Sequence, residues 1–191
     1  MKTREVFRIL RERLEPVLKP LGFTRTIDST GQCLVWTCPT DKQKNIVVWC
    51  QMNKWPWDPW IGSQFVVEMQ HSRSKEVGAM QGAKRARLGD LLTNDQKQEL
   101  QERQNRVIAK FRVPSQEEFS GFMGFPVTGA NIFLDQYHWG CRPVQYDTRR
   151  YEDIWLRIFD AEDVVAWAEF LTGWLPGALQ RFKRLKGAKF S

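Results

Sequence analysis

Ile46-Val47-Val48-Trp49-Cys50-Gln51-Met52 is the stretch that decides the fold. The run is short, almost wholly apolar and rich in β-branched and aromatic side chains, which predicts a strand rather than a helix. Successive side chains of a strand alternate between the two faces of a sheet. A run that is apolar in both alternations therefore predicts a strand covered on both sides, central in its sheet. Upstream, Cys33 to Thr37 predicts a neighbouring strand with Leu34 and Trp36 on one face, joined through a turn at 39–44. Downstream, Phe65 to His71 predicts another, with Phe65, Val67, Met69 and His71 on one face and Val66, Glu68 and Gln70 on the other. Phe23 to Ile27 precedes them, with a hairpin turn at Asp28-Ser29-Thr30-Gly31. Four sequential strands with short turns predict an antiparallel meander.

Helical spacing frames this sheet. Val6, Ile9, Leu10, Leu14, Val17 and Leu18 form one apolar stripe over residues 3–19, ended by Pro20 and Gly22. Thr93 with Gln96 is a capping box for a polar helix from Asn94 to Phe111, which its composition puts at the surface. Ser115 with Glu118 announces a short helix. Ile154 to Phe159 predicts a fifth strand, and Asp160 with Asp163 caps a helix through Val164, Trp167, Ala168 and Leu171. Gly173 is expected to end that helix and Pro176 to begin a short last one. Residues 73–87 have glycines at 78 and 82 and no clear period, which predicts a loop. Residues 121–150, rich in Gly, Pro and aromatics, yield no assignment. The expected fold is α+β, an antiparallel sheet of about five strands with helices packed mainly on one face.

Length and composition set the class. A chain of 191 residues, 42% of them apolar, suits one domain spanning 1–191 that folds without a disulfide or metal staple. No segment has the ~18–20 apolar residues of a bilayer span, and Met1-Lys2-Thr3-Arg4-Glu5 has no apolar signal core. Cys33, Cys38, Cys50 and Cys141 lack close-pair spacing and are read as reduced thiols, so a cytoplasmic protein is expected. Net charge is +7, but unevenly spread. Residues 73–87 carry +4 and residues 181–191 carry +5, leaving the rest of the chain at −2. A basic loop and a basic tail suit an anionic partner, and they equally suit an ordinary solvated surface.

Three patches resemble a family of bacterial domains of unknown function. They are the opening helix running into Leu21-Gly22-Phe23, the Leu91-Leu92-Thr93 helix start with Gln104-Asn105-Arg106-Val107-Ile108, and Asp153-Ile154-Trp155-Leu156-Arg157 through Asp160-Ala161-Glu162-Asp163-Val164. The likeness runs in patches over most of the chain. It implies an α+β fold and brings no activity and no functional residue with it.

No catalytic motif is present. There is no G-x-S-x-G, no phosphate-cradling glycine loop and no paired metal-ligand spacing. His138-Trp139-Gly140-Cys141 is one weak pair, and neither a metal nor a cofactor is expected. Glu68 and His71, three apart on a strand, fall on opposite faces and cannot act as one acid–base pair. Asp147, Glu152 and Asp153 beside Arg149 and Arg150 read as a solvated turn rather than a nuclease cluster. The most unusual stretch is Lys54-Trp55-Pro56-Trp57-Asp58-Pro59-Trp60. Prolines stiffen the backbone, so the rings would be presented at low entropic cost, as at a protein hot spot or a base-stacking platform. The plainer alternative is that the rings fold back and cap the open end of the core.

These features lead to one expectation and two alternatives. The first is a non-catalytic binding module engaging a protein partner through the aromatic loop. The second is a nucleic-acid-binding accessory protein using the basic segments for phosphate. The third is an enzyme with an unrecognised site. The expected partner-binding residues are Trp55, Trp57, Trp60, Lys84, Arg85 and Arg87. No membrane partner is expected.

Overall fold

The computed structural model describes residues 1–28, 30–40, 44–54, 57–77, 84–124, 131–146 and 154–184. Strands β1 (Thr24–Thr26), β2 (Cys33–Thr40), β3 (Lys44–Met52), β4 (Ser63–Ser72) and β5 (Lys84–Arg87) pair in chain order. A further strand, β6 (Leu156–Ile158), pairs with β4. Every pairing is antiparallel, so the mixed α+β fold read from the sequence is the fold observed. Strand β3 is the middle of the five-strand path, and both of its alternations are buried. Ile46, Val48 and Cys50 join one large apolar cluster with residues of α1 (Thr3–Leu18), the short α2 (Leu88–Leu91), α3 (Asn94–Ile108) and α6 (Ala161–Arg184). Val47 and Trp49 form a second cluster with Val35.

Local chemistry sets the helix boundaries. Thr93 Oγ1 accepts the Gln96 N–H at 3.3 Å while Gln96 Oε1 accepts the Thr93 N–H at 3.1 Å. Ser115 and Glu118 repeat this exchange at the start of α4 (Gln116–Met123). Asp160 and Asp163 do the same before α6, and Lys110 neutralises both carboxylates at 2.8 and 2.7 Å. Each exchange satisfies backbone N–H groups that a helix start otherwise leaves unpaired.

Three expectations need correction. The segment expected to be a loop over 73–87 contains β5 at its end. Its alternation is hidden because the inward position is a small alanine, Ala86, and the acid that pairs its arginines is distant in sequence. Helix α6 runs unbroken through Gly173 and Pro176. Trp167, Leu171, Trp174, Leu175, Ala178 and Phe182 continue one buried stripe across both breakers, and that burial outweighs their poor propensity. Helix α3 ends at Ile108, and its Gln104 is buried rather than solvated. The Gln104 amide donates to the Trp155 carbonyl at 2.6 Å and accepts the Arg157 N–H at 2.9 Å, serving β6 as a further strand would. Trp155 itself is only half-buried, unlike Trp36, Trp49 and Trp167. The unassigned region also holds a helix, α5 (Asn131–Gly140). Among the described residues, no helix is long and apolar enough to cross a membrane.

Among the described residues, the buried indoles of Trp36, Trp49 and Trp174 have no acceptor for Nε1–H. An unpaired buried donor costs about 1–3 kcal/mol. Trp36→Phe, which removes that donor along with some ring area, is therefore expected to cost under about 1.5 kcal/mol, against ~3–5 kcal/mol for Trp36→Ala. Urea unfolding of the two variants measures the difference.

Candidate functional site: an aromatic cleft

The loop between β3 and β4 is organised by Asp58. Its Oδ1 accepts the N–H groups of Trp60 at 2.7 Å and Ile61 at 3.0 Å, and its Oδ2 accepts the Tyr137 hydroxyl at 2.8 Å. Burial, then the Asp58 carboxylate, push the Tyr137 hydroxyl well above its ordinary pKa, so it stays protonated and donates. The backbones of Asp58 and Gly62 exchange two further bonds at 2.9 and 2.8 Å. Gly62 has φ +66°, and a Cβ there would lie 2.1 Å from the Ile158 carbonyl oxygen. Only glycine lets this turn press against β6.

This turn decides what the tryptophans do. Trp60 is turned inward at 5% exposure, with its ring packed against Phe119, Phe122 and Tyr137 at centroid distances of 6.1, 5.2 and 5.6 Å. Trp57 is half-buried, its ring 6.3 Å from that of Phe159. Trp60, one of the expected partner-binding residues, thus follows the plainer alternative and folds back onto the body of the protein, where edge-to-face packing on two helices buries it. Trp55 lies outside the described residues.

Trp57 nevertheless lines an open cleft of about 660 Å³ between this loop, α4, α5 and the end of the sheet. Such a volume suits a drug-sized ligand or a few side chains of a partner. Asn53, Gln64 and Arg157 form a polar row across the sheet. Asn53 N–H donates to the Gln64 carbonyl at 2.9 Å, and Gln64 is the register partner of Arg157. Trp57, Phe111, Phe122 and Trp139 supply aromatic walls. Phe122 is 59% exposed and Trp139 65%, so two large rings stand in water at the rim. The Arg142 guanidinium lies 3.9 Å from the Trp139 ring centroid.

Arg157 is held firmly. Its N–H goes to Gln104, and its carbonyl accepts Trp167 Nε1–H at 2.7 Å. The guanidinium Nη1 donates to the Gly140 carbonyl, and Cζ stands 5.9 Å from the Phe111 ring centroid. No described carboxylate pairs with it. Burial lowers its pKa from the usual arginine value, opposed by Tyr146 and Cys141, and the group remains a cation at neutral pH. Burial also raises the Cys141 thiol, with Arg157 opposing, so no activated thiolate stands here.

The basic residues expected to bind a partner are elsewhere. Strand β5 pairs with Glu68–His71 of β4, whereas the cleft lies at the Ser63–Phe65 end. Lys84 Nζ donates to the Phe182 carbonyl and stands 4.9 Å from the Phe182 ring centroid. Arg85 and Arg87 both engage Glu68, a carboxylate at 1% exposure, and Arg85 also lies 5.4 Å from the Trp49 ring centroid. Of the basic tail expected over 181–191, residues 181–184 form the end of α6, where Arg181 donates to the Leu91 carbonyl at 2.7 Å; residues 185–191 and the acid–arginine turn at 147–153 lie outside the described residues. Among the described residues, no three His, Cys, Asp or Glu side chains gather as metal ligands, and His138 is exposed on α5.

Sequence reasoning missed Arg157, Phe122 and Trp139. Arg157 alternates with the buried Leu156 and Ile158, a pattern that reads as an ordinary solvent-facing position. Phe122 and Trp139 belong to the stretch that yielded no assignment. A scan against protein-family models finds no match to this chain, and neither does a search of curated proteins or of solved structures.

Proposed function

We propose that the protein is a non-catalytic, cytoplasmic binding module that receives a segment of a protein partner in its aromatic cleft. The observation that carries this reading is the pair of exposed rings, Phe122 and Trp139, at the rim of a cleft walled by Trp57 and Phe111. Large aromatics that lose water on contact supply most of the energy in protein interfaces. The surface is preformed, because Asp58 and Gly62 fix the loop and the sheet fixes the floor. Lys84, Arg85 and Arg87 are half-buried and already bonded within the protein, which gives the nucleic-acid alternative less support.

Selection of a random peptide library displayed on phage, with the purified protein as bait, tests the reading. The selected peptides are expected to converge on aromatic or aliphatic positions. Trp139→Ala and Phe122→Ala, both at exposed sites, are expected to weaken them at least about tenfold. Convergence that is indifferent to both substitutions, or no convergence, overturns the reading. Tight binding of single-stranded oligonucleotide through these same rings at physiological salt would replace it with the nucleic-acid alternative.

A further inference from the structure

We propose that the segment received in the cleft is acidic, and that Arg157 reads a single aspartate or glutamate side chain placed within it beside an apolar residue. The inference rests on the binding-module reading and gives it a ligand chemistry.

Several other described arginines are met by carboxylates: Arg8 by Glu12, Arg85 and Arg87 by Glu68, Arg103 by Glu99, Arg112 by Glu118; half-buried Arg181 is held instead by the Leu91 carbonyl and the Gln96 amide oxygen, outside the cleft lining. Arg157 is half-buried in the cleft lining and meets none among the described residues. A guanidinium has five N–H donors, and one of them goes to the Gly140 carbonyl. Holding a partly desolvated cation without a counter-ion is costly, so a ligand that brings the missing anion gains a charge-assisted bond where water is scarce.

The one acid in the lining cannot fill this role. Both oxygens of Asp58 are spent on Trp60, Ile61 and Tyr137. Gln64, the cross-strand neighbour of Arg157, is an uncharged amide. Among the described residues, then, no carboxylate reaches the Arg157 guanidinium, although Asp58 keeps its own negative charge elsewhere in the lining.

One charge selects the class of anion. A nucleic-acid backbone presents phosphates in series and needs cations in series, and those of β5 are committed at the far end of β4. A lone carboxylate flanked by apolar groups matches the one guanidinium in the lining, which stands beside Phe111 in a cleft also walled by Trp57 and Trp139; Arg142, the other nearby cation, lies over the Trp139 ring at the rim. The backbone donors distinguish a side chain from a chain terminus. A terminal carboxylate is usually captured by a nest of unspent backbone N–H groups. Here the N–H groups of Asp58, Trp60, Ile61 and Gly62 are all consumed within the loop. The carboxylate is then a side chain in mid-segment, read by the Arg157 side chain.

The test uses a twelve-residue random peptide library whose C-termini are fused to the phage coat, so no free terminus is offered. Against the full protein, selected peptides should share one Asp or Glu at a fixed spacing from an aromatic or aliphatic residue. The best peptide is then synthesised, labelled and titrated by fluorescence anisotropy. Changing its acid to the amide should weaken binding about 30-fold or more on the native protein. The same change should have little effect on Arg157→Gln, which binds both peptides equally weakly. Since the peptide-side change leaves the protein untouched, loss of fold in the variant cannot imitate the first result. Convergence without an acidic position overturns the proposal and leaves the binding-module reading standing. So does an acid-to-amide loss of equal size on both proteins. A synthetic peptide whose binding needs a free C-terminus, and not the internal acid, likewise overturns it. Failure of the library to converge sinks both.

Discussion

Trp167→Ala is expected to lower the unfolding free energy by about 3–5 kcal/mol, the usual cost of emptying a large aromatic site in a core. Domains of this size are stable by only ~5–15 kcal/mol, so the variant should sit near the edge of folding. Trp167 is fully buried, and its indole N–H is bonded to the Arg157 carbonyl. Truncation therefore leaves a cavity and also an unmet carbonyl on β6. Trp155→Ala makes the comparison, because that ring is half-buried and its removal should cost distinctly less. Chemical unfolding of both variants, followed by far-UV circular dichroism, is the measurement. Equal losses would mean that the packing of α6 on β6 is not as described.

The double substitution Arg85→Leu, Arg87→Leu is expected to cost a comparable ~3–5 kcal/mol, for a different reason. Both arginines engage Glu68, whose side chain is inaccessible to water on the alternation shared with Trp49. Without them a carboxylate is left buried and unpaired. Adding Glu68→Leu to the same background should recover much of the loss, since apolar groups of similar volume often replace a buried ion network at little cost. Recovery assigns the damage to the stranded charge. Failure to recover would assign it to packing of the arginine stems against Trp49.

These two sites also show where the sequence is readable. Strands β2 and β4 follow from alternation and β3 from a short run apolar on both faces, and the caps at Thr93, Ser115 and Asp160 follow from side chains three apart. Each is a local rule acting within one or two turns of chain. Strand β5 and the continuity of α6 are not local. Lys84-Arg85-Ala86-Arg87 becomes a strand because Glu68 and the core await it, and Gly173 and Pro176 stay helical because the stripe on either side is buried. The candidate site was half legible. The tryptophan loop attracted notice for its composition, yet the inward turn of Trp60 depends on Asp58, Gly62 and Tyr137, the last of them far along the chain. Arg157 carries no sequence mark at all, because what distinguishes it is the absence of a described acid nearby in space.

The pairing of the first helix with the last has a consequence for the order of folding. Helix α1 packs along α6, although nearly the whole chain lies between them. The meander from β1 to β4 can zip from short-range hairpins, each closing a small loop. Its apolar alternation and the stripe of α1 then share a cluster to which α6 contributes a large part. That contribution needs the longest closure in the molecule, and contacts of such sequence separation form late and slowly. On a ribosome, α1 would wait through the synthesis of every strand before meeting its neighbour. Folding should therefore be slower than the short sheet turns suggest, with the helix pair locking only after the sheet exists.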